Sequence, residues 1–333
     1  MRFAIIGAGM AGLACADALN NVGHSVALFD KGRCSGGRMS TRRLPTALGD
    51  VAIDHGAQYF TARDPAFQQL VASWRDQEIA VPWPLAGPDA WIGVPGMNAI
   101  VKHMAAAHAV TWGEQISAVT RRNDEWSLMG TTGERGPFDA VMLAIPAEQA
   151  AAILSLHDFA MARTALMARS QPCWVGMFVF DRPLDQLPTI IRHRGAISWG
   201  ARNSSKPGRR GPEAWVVQAS GNWSLAHLEA SPEQISTMLH AALSEAAGCP
   251  IPEPVAAAAQ RWRYALSAGT GDGALWNPSL GLGVCGDWLL GPRVECAWLS
   301  GRMLARRCGN TDRCTAVAPA KAEGALKSSR CLA

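Results

Sequence analysis

The chain has 333 residues, 48% hydrophobic and 17% charged, with 33 glycines and 20 prolines, which excludes disordered and fibrous classes and points to two domains around a substantial core. The net charge of +4 is mild, and the arginine pairs at 42–43, 121–122, 209–210 and 306–307 carry no interleaved aromatics, so they read as solvated surface rather than a nucleic-acid face, although one or two can attract an anionic substrate. Nine scattered cysteines without CxxC or Cys/His spacing argue against a disulfide framework or a zinc site and for a reducing cytoplasm, and no apolar run is long enough for a membrane span.

The first thirty residues carry the strongest pattern. Arg2–Ile6 is a short apolar run of the kind found in buried parallel strands. Gly7-Ala8-Gly9-Met10-Ala11-Gly12 follows, then helix formers to Leu19, a second apolar strand at Ser25–Phe29, and Asp30 at its end. Strand, glycine turn, helix, strand and acid form a dinucleotide-binding unit. Gly7 permits the turn, Gly9 lets a pyrophosphate approach the backbone, and Gly12 lets helix and strand pack closely. The helix N-terminus offers free N–H groups to phosphates. Asp30 can accept from the ribose hydroxyls of an adenosine, which favours FAD or NAD over NADP. This use of the segment also argues against a cleaved leader.

Lys31 to Ser40 is polar, basic and glycine-rich. Gly36-Gly37 lets backbone approach a ligand, and Arg38 supplies a guanidinium for a pyrophosphate. GxGMAGL followed by GGR resembles the FAD-dependent amine oxidase superfamily, and the pair decides for FAD. The segment Asp54-His55-Gly56-Ala57-Gln58-Tyr59-Phe60-Thr61 resembles the renalase group within it. The resemblance implies contact with FAD for Lys31, Arg33, Met39, His55, Gln58, Tyr59 and Phe60, and His55 is equally open to a purely structural role.

Asp64–Gln77 is an amphipathic helix, with Phe67, Leu70, Val71 and Trp74 on one face. Pro95-Gly96-Met97-Asn98 opens another helix. Strands at 110–112, 116–121, 126–129 and 138–144 resemble the small sheet that crosses over the dinucleotide domain, with Val119 then at the adenine end, and Asp139–Ile145, before Pro146, resembles the strand that returns to the main sheet. Strands at 174–180, 190–192, 196–199 and 215–219, with a helix at 232–247, predict an antiparallel roof. Asn203–Gly211 reads as an exposed basic loop.

Near the C-terminus, the strand ending in Gly286-Asp287 and the run Val294-Glu295-Cys296-Ala297-Trp298-Leu299-Ser300-Gly301 resemble the superfamily's last FAD motif and final helix. Gly286, Asp287, Val294, Glu295 and Ala297 are therefore expected at FAD. Two departures stand out. Arg293 occupies the position where monoamine-type members place an aromatic residue, and the SGGC attachment segment is absent, so FAD is expected to be non-covalent.

The expected fold is α/β: a Rossmann-type FAD domain (1–62, 95–150 and 256–308) and an α+β substrate domain (63–94 and 151–255), as in p-hydroxybenzoate hydroxylase, with a flexible tail from 309 to 333. The renalase resemblance implies oxidation of 2- or 6-dihydro isomers of NAD(P)H to NAD(P)+, hydride transfer to the flavin, and reduction of O2 to H2O2. Tyr59, Trp199, Trp288 and Arg293 are the substrate-pocket candidates. The alternatives are a flavin amine oxidase or desaturase, and a protein that binds FAD without turnover. The sequence leaves the oligomeric state open.

Overall fold

A computed structural model of the chain describes residues 1–315. Its centre is a six-stranded sheet in the order 275–277, 282–284, 140–143, 2–6, 25–30 and 110–112. All neighbours are parallel except the antiparallel edge pair Leu275–Asn277 and Leu282–Val284. Arg2–Ile6 lies in the middle, with four of its five residues buried, which is why it reads as an unbroken apolar run. The edge strand Val110–Trp112 belongs to this sheet and not to the crossover sheet, which consists of Ile116–Arg122, Glu125–Gly130 and Gly133–Phe138. A three-residue strand carries too little pattern to choose its partner.

The N-terminal helix, Met10–Asn20, packs between this sheet and the final helix, Val294–Thr315. Backbone contact sets both approaches. A Cβ on Gly12 would stand 1.9 Å from the carbonyl oxygen of Gly7, and one on Gly301 would stand 2.1 Å from that of Ala11. The final helix runs to Thr315, well into the expected tail, and residues 316–333 of that tail lie outside the described residues.

A five-stranded antiparallel sheet forms the second layer, in the order 190–194, 197–202, 213–219, 170–180 and 256–267. The helix Pro232–Ala247 covers its outer face through Ile235, Leu239 and Leu243. Ser231 and Gln234 close a capping box at its start, and Gly248 ends it in the left-handed conformation at φ +69°. The helix Pro65–Asp76 starts at Asp64, whose carboxylate accepts from the N–H groups of Ala66 and Phe67 at 2.9 and 3.1 Å. It buries Phe67, Val71 and Trp74, as the spacing predicts, and leaves Leu70 half-buried.

The loop 203–211 departs from expectation. Asn203 and Lys206 are buried at 1% and 2% exposure, and the Arg209 side chain is buried with them. They fold inward onto Asp54, itself fully buried at the end of the strand Val51–Asp54. Lys206 Nζ lies 3.1 Å and Arg209 Nη2 2.5 Å from Asp54 Oδ2. A buried carboxylate needs such partners, and hydropathy cannot see them.

Candidate functional site

A cavity of about 500 Å³ opens between the parallel sheet and the antiparallel roof. The glycine turn supplies Gly9, Met10 and Ala11 to its wall, and the following loop supplies Gly36, Arg38 and Met39. Gln58, Tyr59 and Phe60 come from the segment after Asp54, and Trp199 from the roof. Gly286, Asp287, Arg293, Val294 and Ala297 come from the C-terminal segment. The structure thus gathers sequence-predicted residues from three distant stretches into one wall.

The remaining expected residues lie off this wall. Gly7 and Gly12 act beneath it, in the turn. Asp30 accepts from the N–H of Ala8 at 2.7 Å and of Gly32 at 2.6 Å, and so ties the glycine turn to the next loop. Lys31 and Arg33 are exposed on that loop, and Gly37 is exposed beside Gly36. Val119 is 2% exposed in the core formed with Trp126 and Leu128, and its carbonyl accepts from His157, so its side chain faces no cavity. Trp288 is likewise core. Its indole N–H donates to the carbonyl of Ile145 at 3.1 Å, and the ring packs in the same cluster. The carboxylate of Glu295, 1% exposed, accepts from the N–H groups of Arg63 and Asp64, both at 2.6 Å, and fixes that turn.

His55 takes the structural role. Its ring stacks on Trp262 with centroids 5.4 Å apart, and its carbonyl accepts from the Trp262 indole at 2.7 Å. Burial first, and nearby Arg42 second, pull its pKa down to about 4. Gln58 is locked by three hydrogen bonds: its amide donates to the carbonyls of Asp54 and Gly56, and its oxygen accepts from Lys206 at 2.9 Å. Burial alone would raise the Asp54 pKa, but Lys206 and Arg209 outweigh it and bring it to about 2. Lys206 is drawn down to about 8 by burial, with Asp54 opposing.

Sequence reasoning missed several lining residues, among them Arg63, Cys173, Gln218 and Trp262. Gln218 had a signal: it is the polar residue in the apolar run Ala214–Ala219, and it donates to the Gly56 carbonyl at 2.8 Å. Trp262 stands between two arginines in the middle of the strand Ala256–Ser267. Arg63 sits in a surface turn and had no signal.

Electrostatics follow from the wall. The N-terminal helix has no side-chain cap at Gly9, so its first N–H groups are left for a ligand. A Cβ at Gly9 would meet nothing within 4 Å, which leaves that surface open for close approach. The final helix also starts at the wall, with Val294 and Ala297 lining it. Tyr59 and Trp199 meet with centroids 5.4 Å apart, and the Arg192 guanidinium lies 4.2 Å from the Trp199 ring.

Residues 83–308 match the family model for flavin containing amine oxidoreductase, and residues 5–74 match an NAD(P)-binding Rossmann-like domain. Mouse renalase is 24% identical over 297 residues, covering 79% of this chain and 84% of renalase. Cyclohexylamine oxidase from Brevibacterium oxydans superposes with a TM-score of 0.68 at 13% identity, covering 94% of this chain and 99% of that one. An engineered triple variant of putrescine oxidase gives the same TM-score at 15% identity, covering 94% and 98%. The cofactor is FAD. The wall fits it: an uncapped helix start over a glycine surface suits a pyrophosphate, and the apolar and aromatic remainder suits a flat ring.

Proposed function

We propose that this chain, which belongs to the flavin containing amine oxidoreductase family, oxidises 2- or 6-dihydro isomers of NAD(P)H to NAD(P)+ with O2 as final acceptor. The observation that carries this reading is the charge of the cavity and its want of a base. The charged lining residues are Arg38, Arg63, Arg293 and Asp287, and Asp287 is engaged by Arg38. No His, Lys or Glu is among the described residues that line it. Burial pushes the Cys173 thiol up to about 12, so it stays neutral. An ammonium substrate would enter against this charge. An uncharged dihydropyridine on a phosphorylated tail would enter with it.

The chemistry asks little of such a wall. A dihydropyridine that loses hydride becomes an aromatic pyridinium, and no proton has to be removed. When bound, FAD would supply the acceptor for that hydride and the route by which its two electrons, with the transferred hydrogen and one proton from solvent, reach O2 to give H2O2. The N–H groups of Met10 and Ala11 would hold the FAD pyrophosphate, with Arg38 beside them and Asp287 at the ribityl chain. Tyr59, Trp199 and Trp262 would wall the ring of the substrate and keep water out, and Gln218 and Gln58 would hold the Gly56 turn beneath it. We assign residues 1–62, 95–150 and 256–308 to the cofactor and 63–94 and 151–255 to the substrate, with the strand Ala256–Ser267 corrected to the substrate side because it pairs with 170–180 in the antiparallel roof. A cytoplasmic location suits the nine cysteines.

The test is anaerobic bleaching of the flavin absorbance by 2-, 4- and 6-dihydronicotinamide dinucleotides and by primary amines, with an assay for NAD(P)+. Rapid bleaching by a 2- or 6-dihydro isomer, with NAD(P)+ formed, is expected. Bleaching by an amine alone would replace this reading with amine oxidation, and no bleaching by any of them would leave a protein that binds FAD without turnover.

A further inference from the structure

We propose that Arg63 and Arg293 form a recognition site for the substrate's pyrophosphate at the cavity mouth, with Glu295 holding the two cations together. The proposal rests on the dihydronicotinamide reading and specifies which part of the substrate the protein selects.

The two arginines come from turns 230 residues apart in sequence, yet both line the cavity. One buried carboxylate joins them. Glu295 Oε1 accepts from the N–H groups of Arg63 and Asp64, both at 2.6 Å, and its Oε2 lies 2.8 Å from Arg293 Nη1. This arrangement spends the carboxylate on the Arg63 backbone and on one nitrogen of Arg293. It leaves most of the guanidinium donors at the mouth, since each guanidinium carries five N–H groups. The Arg63 side chain is 66% exposed and that of Arg293 39% exposed. The counter-charge at Arg63 is Asp89, which is 44% exposed and 3.5 Å away, a loose surface pair that an incoming phosphate can displace.

Arg38 contrasts with them. It also lines the cavity, but both ends of its fork are taken by Asp287. Arg63 and Arg293 are therefore the cations of the wall with free donors. Two guanidiniums on one mouth, with one carboxylate fixed between them, match a doubly charged pyrophosphate better than a single point charge. The site would favour whole dinucleotides over dihydronicotinamide ribosides, which have the reactive ring and no phosphate.

The experiment uses the FAD-loaded protein and two readouts. Calorimetric titration with ADP-ribose measures pyrophosphate binding without turnover, and kcat/KM is compared between a 2- or 6-dihydronicotinamide dinucleotide and the matching riboside. Arg63→Ala with Arg293→Gln should weaken ADP-ribose binding at least tenfold and lower the dinucleotide-to-riboside ratio by a similar factor, since each lost charge-assisted bond is worth about tenfold. Arg63→Ala alone removes only an exposed side chain and keeps the test valid if the double variant folds poorly. Its ADP-ribose affinity should fall by roughly half as much on a logarithmic scale. Equal ADP-ribose affinity in wild type and Arg63→Ala overturns the proposal, as does loss of FAD from that variant, which would give the arginine to the cofactor. ADP-ribose binding that depends on both arginines, without oxidation of any dihydronicotinamide, would uphold the pair and reject the proposed reaction.

Discussion

Arg38 and Asp287, 249 residues apart in sequence, form a two-pronged ion pair, with Nη1–Oδ2 at 2.9 Å and Nη2–Oδ1 at 2.5 Å. It joins the glycine-rich loop to the last flavin motif across one wall of the cavity. Either substitution leaves the partner charge without its counter-ion. Asp287→Ala and Arg38→Ala should each purify with less flavin, and FAD titration into the apoprotein should show affinity lowered roughly ten- to a hundredfold. Wild-type affinity in both variants would show that neither residue holds the cofactor.

The Asp54 cluster should matter for stability more than for chemistry. Asp54→Asn leaves Lys206 and Arg209 buried beside a neutral amide, and urea unfolding should show a loss of about 3–5 kcal/mol. Lys206→Met keeps the Asp54–Arg209 pair and adds an apolar side chain near the Trp83 ring, 5.2 Å from Nζ, so it should cost less. An equal loss in both variants would contradict this ranking.

His55 predicts an acid limb in stability. Its folded pKa of about 4 lies below the ordinary value of 6.5, so the unfolded chain takes the proton first as pH falls. The contribution of the neutral ring is complete above pH 6.5 and is lost as pH falls toward 4, by up to roughly 3 kcal/mol at 1.36 kcal/mol per unit. Tm measured across this range should fall in the wild type and flatten in His55→Phe, which keeps a ring against Trp262. A parallel fall in both would give the limb to other groups.

The rate of substrate oxidation should be nearly independent of pH. With no His, Lys or Glu on the described cavity lining and the Cys173 thiol neutral, nothing there has to change protonation for hydride to leave. Stopped-flow flavin reduction at saturating dihydronicotinamide should vary by less than about twofold between roughly pH 6 and 9. A limb rising with pH would indicate deprotonation of an amine substrate.

Legibility differed by kind of interaction. The cofactor side was readable because its demands are local: Gly9, Met10 and Ala11, then Gly36 and Arg38, and finally Gly286 and Asp287, occur in short fixed spacings, and all line the cavity. Helices with caps were readable too, as at Ser231–Gly248. What escaped was long-range satisfaction of charge. Asp54 lies in a motif, but its partners Lys206 and Arg209 lie about 150 residues on, in a loop whose polarity suggests water. Trp288 escaped for the opposite reason: it stands beside a motif position, Asp287, and the backbone turns its side chain into the core.

Gly301 packs without a side chain onto the carbonyl of Ala11, and Leu282–Val284 fills the place beside Ala140–Leu143 in the central sheet. The ends of the described chain are therefore built into one another, and this has a consequence for biosynthesis. A ribosome delivers the glycine turn first and its packing partner last. Until residues beyond 280 emerge, the central sheet lacks an inner strand and Arg38 lacks Asp287. Flavin loading thus belongs to the completed polypeptide rather than to the nascent one, and a chain stopped before residue 280 should be released colourless.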